Sequence, residues 1–335
     1  MPFSLLKVGV VGCGAVGSFY GAHLARAGEE VCFLLRSDFD VVRQQGVLVS
    51  SPQGDFRVHP RCARVPEEVG QCDLVLIALK TTANDQFPHL LPPLVGPHTA
   101  LLTLQNGLGN EEALARLFPA RQVMGGLCFV CLNRLAPGRI RHLDHGLVVL
   151  GEFERAPEPR TQEIAARFRQ GVPCEVTENL RRAHWEKLVW NVPFNGLGVA
   201  SVAGIEAMER GELEPRAGHM AGKQGECLTT DRLLADGRWF RLVRELMLEV
   251  IGTARALGLA VEESVAGKQI ERTRTMGAYR ASTLLDFERG LELELGSLFL
   301  EPLRQSRAAG QAVPRLENLC RVLTQLEANS RLLAG

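Results

Sequence analysis

Two groups of residues in this 335-residue chain have the types and spacing to do chemistry. The first is Gly12-x-Gly14-x-x-Gly17, with Cys13, Ala15 and Val16 between the glycines. It follows an apolar run at Val8, Val10 and Val11 and opens a helix-like stretch that closes at Gly28. In such a turn the first glycine permits a tight bend. The second lets the backbone approach a pyrophosphate, and the third lets helix and strand pack closely. The helix start adds free N–H groups and a partial positive charge. Dinucleotide binding is the expected chemistry, and a glycine-rich turn in some other parallel α/β domain is the bland alternative. The second group is Lys187, Asn191 and Asn195. Four-residue steps keep them on one stripe of a helix, drifting by about 40° each time. Trp185, Leu188, Val189, Val192, Phe194 and Leu197 make the rest of that helix apolar. A lysine and two asparagines there need partners or a polar cleft, unless the stripe is simply the solvent face.

The end of the second strand selects the dinucleotide. An NAD site usually carries Asp or Glu there to hold the ribose 2′-hydroxyl. This chain has Leu35-Arg36-Ser37 instead. Arg36 with Ser37 can pair with a 2′-phosphate, so NADP (as NADPH) is the expected cofactor. A solvated loop arginine is the alternative. Asp38 and Asp40 follow the strand end and are expected to point away.

These residues must be positioned by a sheet. Apolar runs at 73–79 and 100–104 read as buried strands ending in Lys80 and in Gln105-Asn106-Gly107. Segments 47–51 and 56–59 read as a hairpin or an irregular excursion around Pro52-Gln53-Gly54. Segments 122–132 and 139–150 read as strands turned by Pro137-Gly138, with a short strand at 174–177. Open α/β sheets bind ligands beyond the carboxyl ends of their strands. Gly12, Arg36, Lys80 and Asn106 are therefore expected along one edge. From residue 180 onward strand signals vanish, and 185–199, 241–257, 261–276, 282–303 and 315–333 read as helical. The expected fold is α/β: an N-terminal Rossmann-type doubly wound sheet over 1–177, then an all-helical C-terminal domain over 178–335.

Composition narrows the class. Hydrophobic residues are 46%, charged residues 23% and the formal net charge is zero, which gives no electrostatic case for nucleic acid or an anionic membrane. No apolar run reaches the ~20 residues of a membrane span, and no secretory signal is legible, so the cytoplasm is the expected location. Nine scattered cysteines suggest reduced thiols. Cys128 and Cys131 have metal-like spacing, but they sit in a strand pattern without a second Cys/His pair, so no metal site is expected.

The chain resembles the ketopantoate reductase (2-dehydropantoate 2-reductase) family nearly end to end. The resemblance rests on the glycine turn, Leu79-Lys80, Gln105-Asn106-Gly107 and Trp185-Glu-Lys-Leu-Val-Trp-Asn191. It also rests on Ser282-Thr-Leu-Leu-Asp286 with Glu294 following, and on Val313-Pro-Arg315. It implies a catalytic domain closing over bound NADPH, with Lys187 as the catalytic lysine. It implies substrate contacts from Asn191, Asn195 and Ser282. Lys80, Asn106 and Glu294 would then line the nicotinamide ribose and the substrate cleft. The implied partner is a small 2-oxo acid, with a homodimer through the helical domain left open. Another 2-oxo or 3-hydroxy acid substrate, or a nucleotide sensor without catalysis, are the rival readings. Three departures from the family pattern stand out. Pro193 interrupts the asparagine helix and could displace Asn195. Gly296 stands where many relatives carry an acid. The glycine-rich stretch 204–227 reads as an inserted loop.

Overall fold

The computed structural model describes residues 5–213 and 225–334. The chain forms two compact units, Met1–Leu180 and Arg181–Gly335.

The first unit is built on a ten-stranded sheet. Its strands are β1 (Lys7–Val11), β2 (Glu30–Leu34), β3 (Val47–Ser50), β4 (Phe56–Val58), β5 (Arg61–Ala63), β6 (Cys72–Ile77), β7 (Val95–Thr103), β8 (Val123–Ala136), β9 (Arg139–Glu152) and β10 (Cys174–Val176). The order is β4-β3-β9-β8-β7-β6-β1-β2-β5, with β10 pairing to β9. Every pairing from β5 through β2, β1, β6 and β7 to β8 is parallel. That run is the doubly wound nucleotide-fold order, and the chain reverses direction across the sheet between β1 and β6. Helix α1 (Ala15–Arg26) makes the crossover from β1 to β2.

The sequence explains these strands. Along β6, Leu74 and Leu76 belong to one hydrophobic cluster, while Val75 and Ile77 belong to another. The period-two alternation feeds two cores, so both faces of the sheet are covered. Each such aliphatic side chain contributes about 1.5–3 kcal/mol on burial. Of the two readings of 47–59 the hairpin is the one found: β3 and β4 pair antiparallel, and β3 adds in parallel to β9. The β8–β9 hairpin is longer than the sequence suggests, with β8 running on to Ala136.

The second unit is helical. Its helices include Leu180–Ala200, Ile205–Arg210, Gly237–Ala256, Ser264–Arg274, Ser282–Glu288, Glu301–Ala308 and Pro314–Ala334. At Gly196 the first of these packs closely on its neighbours. A Cβ there would fall 2.5 Å from a Leu319 methyl and 2.9 Å from the Phe299 ring. Side chains close the helix ends. The Asp236 carboxylate accepts from the amides of Arg238 and Trp239. The Glu249 carboxylate accepts from the amides of Arg315 and Leu316, both at 2.8 Å.

Two expectations change. Residues 282–303 are not one helix. The first piece stops at Glu288, Gly290 takes φ +66°, and a π-helical turn at Gly296–Leu300 leads into Glu301–Ala308. A residue with positive φ cannot continue a right-handed helix, and glycine adopts it without steric cost. The stretch 204–227 is also not wholly loop. Ile205–Arg210 is a helix, fastened by the Asn318 carboxamide, which donates to the carbonyls of Met208 and Glu209 at 3.1 and 2.9 Å. The remainder of that expectation, residues 214–224, lies outside the described residues.

Candidate active site

The nucleotide edge of the first unit is made mostly of backbone. Parallel order sets the carboxyl ends of β2, β1, β6 and β7 side by side. Arg36, Gly12, Lys80 and Asn106 follow those ends in turn. The three turn glycines meet different surroundings. A Cβ on Gly12, at φ +96°, would fall 2.3 Å from the Leu79 amide nitrogen. One on Gly17 would fall 2.2 Å from the Gly12 carbonyl oxygen. One on Gly14 would meet nothing within 4 Å. Gly12 and Gly17 are thus demanded by the fold, whereas Gly14 faces open space where a ligand could approach. The start of α1 supplies amides without intrahelical partners at the same place. Cys13, inside the turn, directs its thiol to the Val10 and Leu34 carbonyls at 3.5 and 3.4 Å, and burial, and then the neighbouring Cys62 and Cys32, push its pKa well above the usual thiol value.

Carboxamides fasten two further loops to this edge. The Gln105 side-chain nitrogen donates to the Leu79 carbonyl at 3.0 Å and to the Asn84 oxygen at 2.7 Å. Asn84 donates to the Asn110 side-chain oxygen at 2.9 Å, and Asn110 donates to the Asn106 carbonyl at 3.1 Å. The loops carrying Lys80 and Asn106 are therefore one bonded piece. Sequence reasoning singled out neither Asn84 nor Asn110. The one available signal was their amide chemistry beside strand ends.

The loop after β2 answers the charge question. Arg36 and Ser37 are exposed, and the Arg36 side chain has no hydrogen bond or ion pair among the described residues. Asp38 is held by Arg134, whose guanidinium lies 2.7 and 2.6 Å from the two carboxylate oxygens. Asp40 pairs with Arg64 at 2.7 Å. Both carboxylates near the strand end are occupied, and the free charge there is positive. Arg134 reaches this loop from β8, a contact that the sequence offered no means of finding.

The second unit carries its polar groups on the Leu180–Ala200 helix, which continues through Pro193. Asn191 and Asn195 are 6% and 3% exposed, so their part of the stripe is not a solvent face. The Asn195 amide nitrogen lies 3.4 Å from the Asn191 oxygen, and the two stay on one face despite the proline. The Asn195 oxygen accepts from the Ser282 hydroxyl at 3.2 Å and from the Thr283 amide at 3.1 Å. It therefore caps the start of the Ser282–Glu288 helix and fixes the serine. Lys187 lies one turn before Asn191 and is half-buried. Glu294 is buried just ahead of the π-helical turn, and its backbone carbonyl accepts from the Leu298 amide at 3.2 Å. Gly296, a departure from the resemblance noted in the sequence, is exposed at the start of that turn. Among the described residues no group of His, Cys, Asp or Glu is placed to hold a metal ion, and neither Cys128 nor Cys131 is in a disulfide. No described helix is long and apolar enough to cross a membrane.

Sheet order, glycine turn and helical unit together define a protein with a dinucleotide-type fold joined to a helical unit bearing a lysine–carboxamide face. Comparison with known proteins refines this. Residues 8–155 match the model of "Ketopantoate reductase PanE/ApbA", and residues 226–327 match that of its C-terminal part. A 2-dehydropantoate 2-reductase from a Nostoc species is 36% identical, over 97% of this chain and 96% of that protein. A crystal structure of 2-dehydropantoate 2-reductase from Geobacter metallireducens is 43% identical with a TM-score of 0.84, covering 95% of this chain and 99% of that one. Another, from Methylococcus capsulatus, is 31% identical with a TM-score of 0.84, covering 96% and 97%. The chain belongs to the ketopantoate reductase family.

Proposed function

We propose that the protein reduces 2-dehydropantoate to pantoate with NADPH, as a step toward pantothenate and coenzyme A. The observation that carries this reading is the fixed face in the helical unit. Asn195 binds Ser282 and the Thr283 amide, and Asn191 and Lys187 precede it at four-residue steps. In the proposal Asn191, Asn195 and Ser282 hold the carboxylate and hydroxyl of a 2-oxo acid without adding a second full charge. Lys187 stabilises the negative charge that builds on the ketone oxygen and delivers the proton. An ammonium group has the charge and three donors for both tasks. Bound NADPH supplies the hydride.

The residues present fit that cofactor. Gly14 borders open space at the start of α1, where a pyrophosphate would meet the backbone amides. Arg36 is an unengaged cation at the strand end, while Asp38 and Asp40 are both engaged, which supports a 2′-phosphate over a bare ribose hydroxyl. Lys80, Asn106 and Glu294 are assigned to the nicotinamide ribose and the substrate cleft. The test is NADPH oxidation followed with ketopantoate and with a panel of other 2-oxo acids, each beside NADH. Preferred turnover of ketopantoate with NADPH is expected. Preference for another acid would reassign the substrate, and cofactor binding without turnover of any acid would overturn the reading.

A further inference from the structure

The loop after β2 carries a carboxylate in an awkward place for a phosphate site. Asp38 lies two residues beyond Arg36 and is buried. The Arg134 guanidinium reaches its two oxygens at 2.7 and 2.6 Å, and the Ser37 hydroxyl donates to one of them at 3.0 Å. Asp40, the other carboxylate of the loop, pairs with Arg64 where both side chains are more than half exposed, so water screens it. The Asp38 side chain is only 10% exposed. A carboxylate so placed is weakly screened and keeps a strong field unless a cation covers it.

The cover is built into the sheet. β8 pairs with β7 from Val123 to Gly125, and beyond that it runs on to Ala136 as a ribbon with β9. The tip of this ribbon is fixed. Gly138 takes φ +64°, and its carbonyl accepts from the Leu48 amide at 2.8 Å. A Cβ on Gly138 would fall 2.7 Å from the Gly46 carbonyl oxygen. β9 then pairs with β3 from Arg139 to Arg141. Gly46 ends the short helix Phe39–Gln45, which Asp38 begins. Both members of the ion pair therefore stand on one backbone frame. The ribbon tip grips the end of that helix, and Arg134 reaches its start.

We propose that Arg134 is a specificity-determining residue: it neutralises Asp38 so that Arg36 stays available to the 2′-phosphate of NADPH. This rests on the reading of the β2 end as an NADPH site. With Arg134 in place, the charges of Asp38 and Arg134 cancel and the loop presents the Arg36 cation. With Arg134 removed, an uncovered carboxylate stands two residues from Arg36. It draws the Arg36 guanidinium to itself and repels the phosphate, and both effects oppose NADPH. The ribose hydroxyl of NADH carries no charge, so NADH feels little of either. Arg134 acts through Asp38 and is a positioning residue; the contact to the phosphate belongs to Arg36.

The test is a double-variant cycle on the full chain, with NADPH and NADH affinities read by titration calorimetry without any 2-oxo acid present. Arg134→Met should weaken NADPH by about tenfold or more and move NADH by less than about threefold. Asp38→Asn should bind NADPH no more weakly than wild type. Arg134→Met combined with Asp38→Asn should return NADPH affinity to within about threefold of wild type, because the charge that needed covering is gone. Should Arg134→Met fail to fold, Arg134→Gln serves instead. Its carboxamide can still donate to Asp38 but leaves the charge uncovered, so the same loss and the same recovery are expected. NADPH affinity unmoved by the Arg134 variants overturns the proposal. Equal losses of both cofactors overturn it too, since they mark a pair that only holds the fold. So does a double variant no better than the Arg134 variant alone, which would put the guanidinium itself on the phosphate. A wild type that does not prefer NADPH overturns the NADPH reading and this proposal together, whereas a preference indifferent to Arg134 overturns this proposal alone. Failure of ketopantoate turnover leaves every one of these affinities readable.

Discussion

The two candidate regions are made of different material. The nucleotide edge is a backbone site: glycines, helix-start amides and strand ends, with Arg36 a cation unpaired among the described residues at the end of β2. The lysine–asparagine face is a side-chain site, held by a carboxamide that serves a helix end and a serine together. A backbone site tolerates sequence change wherever the chain path survives. A side-chain site fails with a single truncated group. Substitutions can sharpen or break this contrast.

The largest effect is expected at Lys187. Removing a positioned acid costs roughly 10²–10⁴-fold in rate. Lys187→Ala should lose about that much kcat while NADPH still binds, and Lys187→Arg should recover little because guanidinium does not release its proton. A kcat within about threefold of wild type, against the loss expected for an acid, would reduce the lysine to a helix-face charge.

The glycines come next. Gly12→Ala combines a disfavoured positive φ with a backbone clash, together about 2–6 kcal/mol. Chemical denaturation should register it as lost stability. Gly14→Val should instead leave the melting curve near wild type and abolish NADPH binding. Equal behaviour of the two variants would mean that the glycines share one structural job.

Arg36→Ala should weaken NADPH by roughly 1.5–3 kcal/mol, the value of a hydrogen bond to a charged group, and leave NADH nearly untouched. Titration calorimetry with both cofactors decides it, since parallel losses would remove the 2′-phosphate assignment.

The smallest effect separates two roles of one residue. Asn195→Ala should raise KM and also cost about 1 kcal/mol of stability, because it removes a helix cap. Asn195→Asp keeps an acceptor and should restore the stability without restoring KM. Ser282→Ala should act on KM alone. If Asn195→Asp regains KM too, the carboxamide is a cap and nothing more.

The same contrast decides what could be read beforehand. Glycine spacing after an apolar strand is local, so the turn, the parallel strands and the C-terminal loss of strand signal were legible. Strand ends carrying Lys80 and Asn106 followed from the sheet rule. The Lys187–Asn191–Asn195 stripe was visible as a pattern, but Ser282 and Glu294 came only through family resemblance. Arg134 on Asp38 joins residues 96 apart in the chain, and nothing in either segment announces the pair. The break after Glu288 was missed because the apolar pattern resumes after Gly290 and masks the left-handed residue between.

The amide chain Gln105–Asn84–Asn110 has a thermodynamic consequence. Ordering a loop residue costs about 1–2 kcal/mol of backbone entropy. Here the Lys80 and Asn106 loops are bonded into one piece within the protein itself, so a ligand arriving at this edge need not supply that ordering. Cutting the chain at Asn84 would move the cost into the binding step. The association would then carry a larger entropic penalty, although no atom that touches the ligand had been removed.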